Sequence, residues 1–217
     1  MTQVLPRRVT PPVIKRNIND SLKSIWGFIN ADDKNKNDYS VNGSQIEFTA
    51  RRTLAVPTNE GTKEYSFTDV SLERFCSLLD IPTKFFESCP VTGRGSQQDL
   101  VNQRLDSRQS ESFMVRVRET ETEDGIAGPV RTVLKGNYAQ FDNRHMLSAV
   151  ERAITQNGGT YELLSHNADN PKSLDKGLYL RIVQADKFDI ADLNDPHQIG
   201  FQAVTCETGH LGHLEVN

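Results

Sequence analysis

The sequence predicts an α+β fold in which a mainly antiparallel sheet carries about three or four helices packed on one face. Three observations predict this class. Apolar residues recur at helical spacing in three segments, near residues 18–30, 70–80 and 143–156. Short runs with two-residue alternation, typical of strands, lie between and after these segments. No internal repeat with a period of about 20–50 residues is visible, which argues against solenoids and propellers.

The first 17 residues differ from the rest of the chain. They contain three prolines, which favour extended backbone, and four basic residues without an acid. The basic residues are Arg7, Arg8, Lys15 and Arg16. We expect residues 1–17 to form an extended basic arm. One interpretation is that the arm binds a partner or a phosphate backbone, and the other is that it is a solvated tail. Residues 18–217 are predicted to form a single α+β domain, with a candidate sub-boundary near 90–112.

The first predicted helix begins at Ile18. Leu22 and Ile25 continue its apolar face, and the helix is predicted to end at Asn30. The polar run 30–38 that follows is predicted to be a loop. A short meander of strands is predicted next, because runs of β-forming residues are separated by turn chemistry. Those runs are residues 45–49, 53–56 and 64–67.

A second helix is predicted from Thr68 onward. Leu72, Phe75 and Leu79 recur on one of its faces, and Pro82 ends it. A polar loop and a further short helix near residues 100–105 lead to the next region.

From Ser112 the pattern changes to strand alternation. Two alternating runs, 113–118 and 130–135, flank an acidic loop and predict an antiparallel hairpin. A helix over residues 143–156 follows and is predicted to end at a pair of glycines. The strand-like segments after it are residues 160–164, 178–184, 201–205 and 211–216.

Composition and charge narrow the function classes. The formal net charge is -4, which argues against a protein whose whole surface attracts nucleic acid. The charge is divided along the chain, with a balance of +2 over residues 1–120 and -6 over residues 121–217. No apolar run approaches the length that spans a bilayer, and no apolar signal core stands at the N-terminus. We therefore expect a cytoplasmic protein without a membrane partner.

The predicted hairpin carries a candidate nucleic-acid site. Alternation places Arg116 and Arg118 on one strand face and Arg131 and Lys135 on one face of the partner strand, which predicts a positive stripe on the sheet. Tyr138 and Phe141 follow directly. Basic side chains on a sheet beside aromatic rings are typical of single-stranded nucleic-acid binding, because charges follow phosphates and rings stack on bases. The alternative is an ordinary solvated face with cross-strand pairs to acids.

The indications of a metal site or a reactive cysteine are weaker than those of a nucleic-acid site. Cys206, His210 and His213 are weak candidates for metal ligands, since their types suit zinc but their spacing requires a turn to bring them together. The cysteine count is three, without a CxxC motif, so Cys76, Cys89 and Cys206 are predicted to be reduced thiols. No nucleophile motif or phosphate-binding loop is present, and we expect no cofactor and assign no catalytic residue.

Several short segments, taken in order, resemble a known family. They are Phe67-Thr68-Asp69-Val70 through Leu78-Leu79-Asp80-Ile81-Pro82, Leu100-Val101-Asn102-Gln103-Arg104-Leu105, Val130-Arg131-Thr132-Val133-Leu134-Lys135-Gly136-Asn137-Tyr138, Phe141-Asp142-Asn143, and Gly200-Phe201 to Thr205-Cys206-Glu207-Thr208-Gly209. Over about residues 65–210 the chain resembles the uncharacterised phage/plasmid-like protein family. The resemblance implies a protein encoded by a phage, prophage or plasmid and present in a bacterial host cell. It implies no activity and no catalytic residue.

Three functional hypotheses follow. The first is an accessory protein of a mobile element that binds nucleic acid, with single-stranded DNA as the candidate ligand, in support of recombination or replication. The second is a virion-associated or host-interaction protein that acts through protein contacts, with a homo-oligomer as one form of partner. The third is a hydrolase or metal enzyme that uses Cys206, His210 and His213.

Overall fold

The computed structural model describes residues 18–120, 125–138, 141–170, 174, 177–185, 188–189, 196–197 and 199–205. These residues form five α-helices and two principal sheets. The helices are α1 (Ile18–Lys34), α2 (Asp69–Leu78), α3 (Thr83–Ser88), α4 (Gln97–Asp106) and α5 (Asn143–Asn157). None of these helices combines the length and the apolar character that a membrane crossing requires.

The larger sheet has six strands. They are β1 (Lys36–Asn42), β2 (Glu47–Phe48), β3 (Leu54–Thr58), β4 (Gly61–Phe67), β5 (Ser112–Arg118) and β6 (Ile126–Lys135). Their spatial order is β1-β5-β6-β4-β3-β2, and every pair is antiparallel except β4 with β6. A 3-10 turn, Gly43–Gln45, joins β1 to β2, and β1 also lies against β3. The two edges of the sheet therefore approach each other, and the sheet curls into a partly open barrel.

The inner face of this barrel forms the first hydrophobic core. Each of the six strands contributes to it, for example Val41 from β1, Phe48 from β2 and Phe113 from β5. Helices α2, α3 and α4, which connect β4 to β5, add Phe75, Phe86 and further apolar residues to the same core. Two-residue alternation explains this arrangement, since every second side chain of a strand points inward.

Side-chain hydrogen bonds fix the helices to the barrel. The Thr68 hydroxyl accepts a hydrogen bond from the Ser71 backbone N–H at 3.1 Å and so caps the start of α2. The Asn102 side-chain amide of α4 bonds both the N–H and the carbonyl of Phe48, each at 2.9 Å. That pair satisfies the backbone of β2, which is otherwise a two-residue edge strand.

The second core lies between helices α1 and α5 and a three-stranded antiparallel sheet. This sheet contains β7 (Tyr161–His166), β8 (Leu178–Gln184) and β11 (Gly200–Thr205), in the order β11-β8-β7. Leu22, Ile25, Leu147 and Leu180 are among its buried residues. A short ladder of β9 (Phe188–Asp189) and β10 (Pro196–His197) completes the described strands.

The structure confirms the predicted α+β class with mainly antiparallel sheet, and the helices predicted near residues 18–30, 70–80, 100–105 and 143–156 correspond to α1, α2, α4 and α5. The helices are divided between the two sheets. The prediction of a loop over residues 30–38 is wrong, because α1 continues to Lys34 and β1 begins at Lys36. Only Tyr39 and Val41 of β1 pack toward the core, so the strand carries almost no apolar signal in the sequence. The basic arm over residues 1–17 lies outside the described residues.

Candidate nucleic-acid interface

The predicted stripe of basic residues does not lie on an open sheet face. Arg116 and Arg131 are 1% and 2% exposed, and the side chain of Arg118 is 14% exposed. These arginines lie on the outer face of the barrel, on β5 and β6. Helix α1 and the start of α5 cover this part of the face, and their residues Asp32 and Asp142 contact the arginines. The prediction that these three arginines are solvent-exposed is therefore wrong.

Lys135 is also placed differently from the prediction. Lys135 pairs with Phe113, an inward-facing residue of β5, whereas Arg116 on the outer face pairs with Thr132, so Lys135 does not share the face of Arg116. A β-bulge follows between Arg116 and Val117, where β6 has one residue more than β5. Lys135 remains exposed at the end of its strand.

One aspartate of α1 binds two of the buried arginines. Asp32 Oδ1 accepts from Arg118 Nη2 at 2.7 Å and Nε at 3.1 Å, and Asp32 Oδ2 accepts from Arg131 Nη1 at 2.8 Å. Arg131 Nη2 also donates to the carbonyl of Leu174 at 3.3 Å. These contacts join the barrel to α1 through charges that are almost completely removed from water.

A second group of ion pairs lies beside the first. Arg116 binds Asp38 of β1 with two parallel hydrogen bonds of 2.7 Å, and its Nη1 lies 2.8 Å from Asp142 Oδ1 at the start of α5. Lys36 Nζ lies 2.6 Å from Asp33 and 3.6 Å from Asp142. We call the eight residues the buried ion network, and they are Asp32, Asp33, Lys36, Asp38, Arg116, Arg118, Arg131 and Asp142.

The charges of the buried ion network balance, with four cations and four carboxylates among these residues. Burial of Asp142 opposes its ionisation, but the nearby charges of Arg116 and Lys36 outweigh burial and hold its pKa below the ordinary value. The carboxyl is therefore charged at neutral pH. The network contributes no net charge with which to attract a polyanion.

An exposed charged and aromatic surface extends from the end of β6 through its connection to α5 and into the first turn of that helix. Tyr138 is 42% exposed and Phe141 is 53% exposed. Lys135, Arg144 and His145, from the same eleven-residue stretch, are also exposed. We call these five residues the basic–aromatic loop. It combines two stacking surfaces with basic side chains, the combination that suits single-stranded nucleic acid.

Close contacts hold this loop at its start. The backbone N–H of Gly136 donates to the Ser112 carbonyl at 2.7 Å, and the N–H of Tyr138 donates to the Lys135 carbonyl at 2.9 Å. A side chain at position 136 would place its Cβ 2.4 Å from Ser112 Oγ, so glycine is required for this approach. At the end of the loop, the Phe141 ring lies 5.9 Å from the His145 ring.

A second surface has a related composition. Arg51 and Arg52 are exposed in the turn between β2 and β3, and Arg52 lies 5.8 Å above the Phe86 ring. The adjacent helix α3 presents Lys84 and Phe85, the latter 54% exposed. Arg51 and Arg52 are defined here as the arginine turn, and they provide an internal comparison for the basic–aromatic loop.

A polar cavity of about 670 Å³ lies beside the β3–β4 turn. The residues that line it include Tyr39, Thr58, Lys63 and Glu119. The hydroxyls of Tyr39 and Tyr65 each donate to Glu119 Oε1 at 2.8 Å, and Lys63 Nζ lies 3.4 Å from Oε2. The carboxylate of Glu119 is thus bonded by groups of the barrel itself, which indicates a structural role.

The same contacts shift the pKa values of the groups. Burial of the Glu119 carboxyl opposes ionisation, but the hydrogen bonds from Tyr39 and Tyr65 outweigh it and lower the pKa. Burial, together with the Tyr39 and Glu119 contacts, strongly raises the pKa of Tyr65, so its hydroxyl stays a donor.

We expect Glu119→Gln to destabilise the protein by roughly 1–2 kcal/mol at pH 7 because a charged acceptor of two hydrogen bonds is lost. A carboxyl with a lowered folded-state pKa contributes stability above its unfolded pKa, near 4.3, and loses it as pH falls through the folded value. The deficit of the variant should therefore shrink as pH falls below about 4.3. Urea unfolding at a series of pH values measures this, and a deficit that stays constant with pH contradicts it.

The weak metal candidates Cys206, His210 and His213 lie outside the described residues. Within the described part, no three His, Cys, Asp or Glu side chains are grouped so that they could hold a metal ion. Cys76 is a buried free thiol, and burial raises its pKa to about 11.

Sequence reasoning identified two members of the basic–aromatic loop, Lys135 and Tyr138, and noted Phe141 beside them. It missed Arg144 and His145. The sequence did contain an indication of them, since both residues fall on the polar face of the predicted helix 143–156, shortly after Phe141.

Comparisons with known proteins add no relative to this description. No family model, no curated protein and no solved structure matches the chain.

Proposed function

We propose that the protein binds single-stranded nucleic acid through the basic–aromatic loop. The observation that carries the proposal is the joint exposure of Tyr138 and Phe141, at 42% and 53%, with exposed Lys135, Arg144 and His145 in the same segment. Exposed aromatic rings stack on bases of any sequence, and basic side chains follow the phosphate backbone. The site requires no basic protein overall, which agrees with a net charge of -4.

The topology of the barrel supports the same class of ligand. If β1 and β2 are counted as one bent strand, the barrel has five strands, a parallel pair between the third and the fifth, and helices inserted after the third. This is the connectivity of the OB-fold, a partly open Greek-key barrel that often binds oligonucleotides or oligosaccharides. The support is by analogy, since one fold hosts many functions.

The proposal extends to a biological role through the family resemblance. A protein of a phage or plasmid that binds single strands would assist recombination or replication of the mobile element inside a bacterial cell. The basic arm, with Arg7, Arg8, Lys15 and Arg16, belongs to the proposal as an additional contact to phosphates.

A titration of a fluorescent single-stranded oligonucleotide tests the proposal. We expect binding that weakens steeply from about 50 to 200 mM salt, because bound counterions are released from the phosphates. Tyr138→Ala and Phe141→Ala should each weaken binding roughly tenfold, the effect of losing one stacked base. No binding at the lowest salt concentration contradicts the proposal and favours the alternative of a protein that acts through protein contacts.

Matched controls locate the site. Lys84→Ala with Phe85→Ala removes an exposed lysine and an exposed aromatic from α3 and should leave affinity unchanged, whereas Lys135→Ala with Tyr138→Ala should reduce it. Arg51→Ala with Arg52→Ala tests the arginine turn, which lies where OB barrels often bind their ligand. Loss of affinity confined to the arginine turn would reject the basic–aromatic loop as the site. Replacing the four basic residues of the arm with glutamine measures the contribution of the arm separately.

A further inference from the structure

We propose that Asp142, held by Arg116 and Lys36, is a positioning residue that keeps the basic–aromatic loop in its binding conformation. This inference rests on the proposed function, and it assigns the buried arginines of the hairpin an indirect role. Asp142 stands between Phe141 and the first turn of α5, which carries Arg144 and His145. Its placement therefore decides where three of the five loop residues lie.

The contacts of Asp142 reach into the barrel. Its carboxylate lies 2.8 Å from Nη1 of Arg116, which is 1% exposed and is bound on its other side by both carboxylate oxygens of Asp38. Lys36 Nζ, 3.6 Å away, adds a second cation. Asp142 thus contacts one residue of β1 and one of β5, two paired strands of the barrel.

The backbone of Asp142 also contributes to the local geometry. Its N–H donates to His145 Nδ1 at 3.3 Å, and its carbonyl accepts from the His145 N–H at 2.9 Å. These two bonds set the orientation of His145, whose ring lies beside Phe141. The carboxylate contacts and the backbone contacts together connect the buried ion network to the exposed rings.

Fixing the loop before binding increases affinity because less conformational freedom is lost when the ligand arrives. Arg116 itself is buried and already bound to two carboxylates, so it does not contact phosphates directly. A positioning role and a phosphate contact consequently have different signatures. Loss of a phosphate contact lowers the salt dependence of binding, whereas loss of positioning lowers affinity at constant salt dependence.

The test uses Asp142→Ser, which retains a favourable helix N-cap residue and removes the carboxylate. We expect oligonucleotide affinity to fall about fivefold to tenfold, with the slope of log affinity against log salt unchanged. Simple electrostatics predicts the opposite sign, because removing a negative charge near a polyanion should strengthen binding. Lys135→Ala provides the contrast, since it should lower the slope by about 0.7.

Asp169→Ser, which removes an exposed carboxylate elsewhere, controls for net charge and should leave affinity unchanged or slightly higher. Amide hydrogen exchange of residues 141–146 gives a readout that needs no ligand, and we expect faster exchange in Asp142→Ser. If Asp142→Ser does not fold, Asp142→Asn is measured in the same way, since it retains the volume of the side chain.

The possible failures are distinguishable. If the wild-type protein does not bind the oligonucleotide, the proposed function is wrong and the positioning role in binding is lost with it. If the wild-type protein binds and depends on Tyr138 and Phe141, but Asp142→Ser binds equally well or more tightly, only the positioning role is overturned. A slope for Asp142→Ser that falls as much as that of Lys135→Ala would also overturn it.

Discussion

Asp32→Asn is expected to destabilise the protein by about 3–5 kcal/mol, the cost of leaving a buried charge without its partner. Asp32 is the shared acceptor of Arg118 and Arg131, at 2.7 and 2.8 Å, and Arg131 is 2% exposed. The amide keeps the volume of the side chain but removes the negative charge, so two guanidinium groups lose their shared carboxylate in a site that is largely removed from water. Urea unfolding at pH 7 measures the loss.

Asp80→Asn is the matched control for this prediction. Asp80 also pairs with an arginine, Arg108, but its side chain is 79% exposed. Exposed pairs contribute about 0–1 kcal/mol, so a small effect is expected. Equal effects of the two substitutions would mean that burial does not determine the strength of the Asp32 contacts. Replacing Asp32, Arg118 and Arg131 together with apolar residues of similar volume should recover much of the stability, because neither guanidinium group then faces a neutral amide.

Gly128→Ala is expected to cost about 3 kcal/mol or more, since it combines backbone strain with a direct clash. Gly128 has a φ of 105°, and an added Cβ would lie 2.2 Å from the carbonyl oxygen of Arg118 and 2.8 Å from Thr120 Oγ1. The carbonyl belongs to the backbone at the end of β5, so it cannot move away without disturbing the hairpin. Thermal and urea unfolding measure the change.

Gly125→Ala separates the two contributions. Gly125 also has a positive φ, 71°, but a Cβ there would meet nothing within 4 Å. Its replacement should therefore lower the free energy of unfolding by only about 1–2 kcal/mol, the strain of a left-handed conformation in a residue with a Cβ. If both alanine variants lose the same amount of stability, the close approach of β5 and β6 at Gly128 contributes nothing.

The local spacing of apolar residues was sufficient to predict much of the fold. The helical spacing of Leu72, Phe75 and Leu79 predicted α2, and the alternation of Phe113, Val115 and Val117 predicted β5 with its inward face. These predictions succeeded because the same apolar side chains that create the periodicity also form the core. The prediction failed at β1, where the outward residue Asp38 finds its partner Arg116 78 positions away in the chain.

The candidate site was predictable in part. Alternation correctly placed Arg116 and Arg118 on the outer face of their strand, but whether that face is open to solvent depends on α1 and α5. Lys135 and Tyr138 were predicted as site residues because a basic and an aromatic residue stand together at the end of a predicted strand, and both are exposed. The register that pairs Lys135 with the inward-facing Phe113, and so separates it from the face of Arg116, is a property of strand pairing, which no local pattern encodes.

Residue periodicity and charge were enough to predict the class of the fold, the positions of its main helices and the division between a slightly basic N-terminal half and an acidic C-terminal half. The exposure of individual basic residues depends instead on tertiary contacts. Arg116, Arg118 and Arg131 are neutralised because Asp32, Asp38 and Asp142, from three other elements, converge on them. Burial of a charge depends on contacts between distant segments, and the charge of a residue is therefore no guide to its exposure until those contacts are known.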